Sequence, residues 1–207
     1  MYTPPAFKEE TLSVLHDIID AASLSTFVTA TADGLLATPL PLLLDRDEGP
    51  HGTLYGHVAR ANPQGTTPAI GAAMATFMGP DAYISPSWYA SKREHGKVVP
   101  TWNYVAVHAY GAAEFFTDED RLLDVVTRLT NRHEKARTEP WQVSDAPAAF
   151  VKAQLRGIIG IRLPIDRLDG KRKMSQNRST EDRAGVSAGL AASARPEDRL
   201  LAGEIPA

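Results

Sequence analysis

The chain has 207 residues, 43% of them hydrophobic and 23% charged, with a formal net charge of −3; this composition suits one soluble domain, alone or with an appendage, and gives no whole-chain electrostatic footprint for nucleic acid. It contains no cysteine, which excludes a disulfide framework, a thiolate metal site and a cysteine nucleophile. No uncharged apolar run approaches the roughly 18 residues of a membrane span, and the opening MYTPPAFKEE has no basic stretch followed by an apolar one, so a cytoplasmic location is expected.

Leu12, Leu15, Ile18 and Ile19 share one face at helical spacing behind Glu9 and Glu10, which predicts a first helix. Leu24 to Thr31 reads as a strand, Asp33-Gly34 as a hairpin turn, and Leu35 to Asp45 as the return strand. Pro39 and Pro41 each remove a ladder donor, so that strand is expected at an edge, a bulge or a break. Thr53 to Val58 and Ala69 to Met78 read as strands, with Gly79-Pro80-Asp81 turning the second into Ala82 to Ser85. Pro86 to Lys92 suggests one helical turn, and Val98 to Phe116 a long strand region. The period then changes. Asp118 caps a helix running to about Arg132, with Leu122, Val125, Val126 and Leu129 on its apolar face, and Ala146 to Gln154 is a shorter helix. Ile158 to Leu163 is expected as the last strand. Without βαβ alternation the order argues for an antiparallel barrel or an α+β arrangement. After Asp169 the chain turns basic and then poor in bulky side chains, with a helix expected from Glu181 to Ala192 but little apolar surface to pack it.

Four stretches carry side chains suited to chemistry. In Gly56-His57-Val58-Ala59-Arg60-Ala61-Asn62-Pro63 a strand ends and a turn begins. Arg60 there could receive a phosphate on its guanidinium fork, or simply be a surface arginine in an Asx turn. Tyr83-Ile84-Ser85-Pro86-Ser87-Trp88-Tyr89 offers aromatic faces and hydroxyls to a flat ring, or plugs a core. Pro100-Thr101-Trp102-Asn103-Tyr104, with His108 beyond, would put Trp102, Tyr104 and His108 on one strand face and Thr101 and Asn103 on the other. Lys171-Arg172-Lys173-Met174-Ser175-Gln176-Asn177-Arg178 holds four cations suited to a polyanion, or begins a solvated tail. No HExxH or close His/Asp/Glu cluster suggests a metal, no glycine-rich phosphate loop or GxSxG elbow is present, and no catalytic residue stands out.

These stretches, taken in order with Ala37-Thr38-Pro39-Leu40-Pro41-Leu42 and Gly79-Pro80-Asp81, resemble the PaiB-type family of FMN-binding negative transcriptional regulators over residues 1 to about 190. Two positions depart from that pattern: Gly65 stands where the family often has an aromatic, and Met174 where it commonly has Leu. The resemblance implies a mainly β chain with flanking helices (α+β), built as an antiparallel split β-barrel. The barrel would fill residues 1–170, with a helical insertion at about 118–154, and 171–207 would be a partly flexible C-terminal segment. It implies a homodimer that binds FMN, and DNA by family resemblance alone. By the same carry-over His57, Ala59, Arg60 and Asn62 lie near the phosphate or ribityl chain, Trp102, Asn103 and His108 near the groove wall, and Lys173, Ser175 and Gln176 reach in from the C-terminal segment. A flavin-dependent oxidoreductase of the pyridoxamine-phosphate-oxidase-like group and a cofactor-less dimeric interaction module are the alternatives.

Overall fold

A computed structural model describes all 207 residues. Two compact units emerge. The first joins Met1–Ile18, Met78–Val107 and Asp169–Ala207; the second joins Ile19–Phe77 and His108–Leu168.

The second unit holds most of the sheet. β2 (Ser25–Thr31) and β3 (Gly34–Leu40) form a hairpin whose register runs from Ser25 opposite Leu40 to Thr31 opposite Gly34. Gly34 takes φ 121°, a conformation that L side chains avoid, and so closes the tight turn. β3 lies at the sheet edge, where Pro39 sacrifices no ladder bond that another strand needs, and the chain breaks at Pro41-Leu42. Its continuation, β4 (Leu43–Asp45), belongs to a different sheet of order β4-β5-β9-β8, with β5 at Thr53–Ala59, β8 at Glu114–Phe116 and β9 at Ile158–Pro164. Against it lies α3 (Glu119–Glu134), capped by Asp118 and burying Leu122, Val125 and Leu129, followed by α4 (Ala148–Leu155).

One polar side chain ties the hairpin to the turn after β5. Gln64 is buried in a short 3-10 turn, Pro63–Gly65. Its amide nitrogen donates to the Phe27 carbonyl of β2 at 3.1 Å and to the Leu36 carbonyl of β3 at 3.2 Å, while its Oε1 accepts from the Thr38 hydroxyl at 2.5 Å.

β6 (Ala73–Ile84) and β7 (Thr101–Gly111) run through both units. In the second, β6 pairs with β2, Phe27 facing Ala75. In the first, the strand order is β1-β10-β7-β6, with β1 at Lys8–Glu9 and β10 at Arg167–Lys173. The expected turn at Gly79-Pro80-Asp81 does not form, because β6 passes straight through it. The glycine and proline are absorbed as a change of face: Ala73, Ala75 and Phe77 are buried on one side of the slip, and Ala82 and Ile84 on the other. A Cβ at Gly79 would stand 3.0 Å from Val105, so glycine suits the close strand contact.

The chain after Asp169 also differs from expectation. Ile158–Pro164 is not the last strand: β10 follows, then α5 (Thr180–Ala191) and α6 (Pro196–Ala202). Val186, Leu190 and Leu201 are fully buried with Ala82, Ile84, Tyr89, Val105 and Met174. Small residues make this packing, which explains why side-chain bulk did not signal it. Gly185 and Gly189 share one face of α5, and a Cβ on either would lie within 2.3 Å of Trp88, at its carbonyl oxygen or its indole. Asp182 adds a tie, accepting from the Ser91 backbone at 3.0 Å and the Ser91 hydroxyl at 2.8 Å. No helix is long and apolar enough to cross a membrane.

Gln64→Leu should lower unfolding stability by about 2–4 kcal/mol, since the Phe27 and Leu36 carbonyls would lose a buried donor. Urea denaturation checks this; a loss below about 0.5 kcal/mol, the range of an ordinary surface change, would contradict the bridging role.

Candidate functional site

The residues singled out by sequence fall into two groups, one in each unit. In the first unit Trp102 and Asn103 on β7 stand with Lys173, Ser175 and Gln176 at the end of β10. Lys171 and Lys173 are two apart on one strand and share a face, while Arg172 on the opposite face pairs with Glu204. Lys171 is only 8% exposed. Its ammonium donates to the Tyr2 carbonyl at 3.2 Å and sits 5.0 Å from the Tyr104 ring centre and 5.9 Å from that of Tyr2. Lys173 donates to the Thr101 hydroxyl and, at 2.8 Å, to the Trp102 carbonyl. Neither lysine has an ion pair. Burial pushes Lys173 below the usual lysine pKa, and the like charges of Lys171 and Arg178 push the same way. Cations held without counter-ions in partly desolvated positions favour an added anion.

Exposed aromatic rings stand on the neighbouring strands. Trp102 is 48% exposed and meets Tyr83, 45% exposed, edge to face at 6.1 Å between centroids. The neighbouring polar residues are inward-facing and fix the backbone. Asn103 is fully buried and donates from Nδ2 to the Ser175 hydroxyl at 3.0 Å. Ser175 takes φ 62°, in the left-handed region that serine seldom occupies, and the buried amide–hydroxyl contact holds it there. Gln176 accepts from the Met174 backbone at 2.6 Å and donates back to the Arg172 carbonyl. Asn103, Ser175 and Gln176 therefore lock the turn that ends β10 and thereby aim Lys173.

In the second unit, His57 and Ala59 lie on β5, and Arg60 and Asn62 follow it. Arg60 is drawn onto α4: its Nε donates to the Arg156 carbonyl at 2.5 Å, its Nη2 to the Ile158 carbonyl at 3.3 Å, and its backbone to Gly157 at 2.8 Å. A guanidinium is well placed on carbonyls that a helix end leaves unsatisfied. Asn62 caps the Pro63–Gly65 turn, accepting from the Gln64 backbone at 2.9 Å and donating to the Thr38 hydroxyl at 3.0 Å. Ala59 is exposed at the strand end. His108, on the second part of β7, has Nδ1 3.3 Å from the Tyr110 hydroxyl. His57 differs from these because its Nδ1 is buried without a hydrogen-bond partner, and burial pushes its pKa below the ordinary 6.5. At Gly65, where an aromatic was the alternative, a Cβ would stand 2.9 Å from Ile159 and 3.3 Å from Val58, so the backbone there is closely packed.

Sequence reasoning did not single out Lys171, Tyr104 or Tyr83, which the structure brings near the Lys173 turn or beside Trp102, although it noticed the stretches that contain them. The available signal was the i, i+2 spacing of Lys171 and Lys173, which has meaning only once the segment is known to be a strand.

A histidine held neutral by burial stabilises the fold above its unfolded pKa and loses that contribution as acidification protonates the unfolded chain first. Wild-type protein should therefore lose stability between about pH 7 and pH 5 more steeply than His57→Gln, read by urea denaturation at each pH. Parallel profiles would contradict a buried neutral imidazole.

Comparison with known proteins adds the family. Residues 1–167 match the family described as "Putative FMN-binding domain". The chain is 34% identical over 203 residues to the protease synthase and sporulation protein PAI 2 of Bacillus subtilis, covering 98% of this chain and 95% of that protein. It is 34% identical over 226 residues to an uncharacterized protein of Emericella nidulans, covering 92% and 90%. Among solved structures, the FAD and heme binding protein from Mycobacterium smegmatis superposes with a TM-score of 0.60 at 17% identity, over 86% of this chain and 78% of that one, a likeness of fold alone. Of the first-unit group, Trp102 and Asn103 lie inside the matched family segment, while Lys173, Ser175 and Gln176 lie beyond it but within the span shared with the Bacillus protein. On both the family match and the full-length similarity, this chain is a member of that FMN-binding family, and FMN is its cofactor.

Proposed function

We propose that the chain is a split-barrel FMN protein that works as a homodimer to regulate gene expression, with the cofactor's anionic end held at Lys173. The observation that carries the cofactor reading is the pair Lys171 and Lys173: two ammonium groups side by side, bordered by aromatic rings and lacking any carboxylate partner. This donor set fits FMN. A phosphate would satisfy the cations, and the exposed faces of Trp102 and Tyr83 suit a planar ring system. Asn103, Ser175 and Gln176 act as positioning residues for Lys173. Among the candidates of the second unit, the unpartnered Nδ1 of His57 can donate to or accept from a ligand, whereas Arg60 and Asn62 serve by holding the turn after β5. Ala59 and His108 stay in the proposal as neighbours only. Bound FMN supplies reversible one- or two-electron chemistry.

The regulatory role is carried over from the Bacillus relative, whose name ties it to protease synthesis and sporulation. The homodimer is supported by apolar exposure in the first unit, where Met78, Tyr83, Val99 and Trp102 are each more than 40% exposed, a surface that a second copy would cover.

Titrating FMN and following the quenching of its fluorescence tests the cofactor site. Lys173→Ala should weaken binding on the order of tenfold or more, equivalent to about 1.5–3 kcal/mol for a hydrogen bond to a charged group. Lys92→Ala, on the exposed α2 (Ser91–His95), should leave it unchanged. Equal affinity of Lys173→Ala and wild type, with the far-ultraviolet spectrum intact, would refute the role of Lys173. Light scattering on the same samples should return twice the chain mass, and a monomer would contradict the homodimer.

A further inference from the structure

We propose a second binding site in the second unit, a trough between α3 and α4 that takes a linear amphipathic carboxylate. It uses none of the residues of the Lys173 cluster and does not rest on the FMN reading.

The trough follows from the periodicity of α3. Glu119, Leu123, Thr127 and Asn131 recur every four residues and form one stripe, about 18 Å long at roughly 1.5 Å per residue. A different stripe of the same helix, Leu122, Val125 and Leu129, is buried against Phe116 and Leu155, so the trough stripe is left facing outward. The opposite wall comes from Val151 and Leu155 of α4 and from Val143 and Ala148 before them. The open trough offers about 640 Å³, within the roughly 300–1,000 Å³ of small-molecule sites.

The two ends differ in chemistry. At one end Asn131, Gln142 and Ser144 present amides and a hydroxyl. The middle is apolar, from Leu123, Val151 and Leu155. At the other end Lys152 lies 3.3 Å from Glu119. A smaller hollow of about 40 Å³ adjoins this end, sharing Glu119 and Leu155 and lined also by Arg60 and Arg156. Lys152, Arg60 and Arg156 thus line this end with one carboxylate, Glu119, which pairs with Lys152, while the Arg60 guanidinium is bonded to the Arg156 and Ile158 carbonyls. The Lys152–Glu119 pair is solvent-exposed at 61% and 46%, a class of ion pair that contributes little and exchanges readily. A ligand carboxylate can replace Glu119 on Lys152, and the excess of cationic over anionic side chains lining this end disfavours a cationic head. The length and apolar middle of the stripe select an extended alkyl chain.

Calorimetric titration of the full-length protein with decanoate, decanol and decyltrimethylammonium, each below its micellar concentration, tests this. Decanoate should fill one saturable site, decanol should bind about twofold to fivefold more weakly, the range an exposed charge contact allows, and the cation should bind weakest of the three. Lys152→Glu should weaken decanoate binding by roughly fivefold or more, and Ala148→Trp should abolish it by filling the trough. Absence of saturable decanoate binding, equal affinity for the three probes, or decanoate affinity unchanged in Lys152→Glu would overturn the proposal. If Ala148→Trp fails to fold, Lys152→Glu alone decides it.

Discussion

Two lysine ammonium groups on one strand face, brought under cover without a carboxylate, are the constraint around which the first unit is arranged. Lys171 is almost wholly buried and is held by a backbone carbonyl and two aromatic faces, a set of weak partners for a full charge. Lys173 leans on a hydroxyl and a second carbonyl. Structural ion pairs elsewhere in the chain are resolved differently: Arg162 reaches Glu48 at 2.5 Å, Arg128 reaches Asp45 at 2.8 Å and Arg46 reaches Asp20 at 2.6 Å. Carboxylates are thus used freely where cations need neutralising, and their absence beside Lys171 and Lys173 leaves a position suited to an anion. The backbone strain at Ser175 belongs to the same arrangement, because the buried Asn103–Ser175 contact fixes the turn from which Lys173 projects.

The second unit shows how a recognisable motif can be mostly structural. The run from His57 to Pro63 looks like a phosphate loop in one dimension. In three, Arg60 closes the end of α4, Asn62 caps a turn, and Gln64 behind them bridges β2 and β3. Most of the polar atoms in that chain of contacts have a local partner, and the buried one left without is the Nδ1 of His57.

Much of the strand and helix order was legible from periodicity and turn chemistry. The Asp33-Gly34 hairpin, the break at Pro41 and the Asp118 cap each rest on a local rule that tertiary structure did not override. Two readings failed for nonlocal reasons. Gly79-Pro80 signals a turn in isolation, but β6 is held on course by its neighbours and converts the signal into a change of face. The segment after Asp169 lacks bulk, yet Gly185 and Gly189 let α5 approach Trp88 so closely that a few aliphatic residues complete a core. Lys173, Ser175 and Gln176 were expected from the resemblance, but without a strand assigned to Arg167–Lys173 the i, i+2 spacing that sets Lys171 beside Lys173 had no meaning. Family resemblance supplied the cofactor, and the structure supplied the side chains with capacity to spare.

The most direct test of this account is a crystal structure of the protein with FMN bound. The account predicts phosphate oxygens within hydrogen-bonding distance of the Lys173 ammonium and the flavin ring against Trp102. A phosphate seated on the Arg60 guanidinium, with Lys173 still bonded to Thr101 and the Trp102 carbonyl, would contradict it.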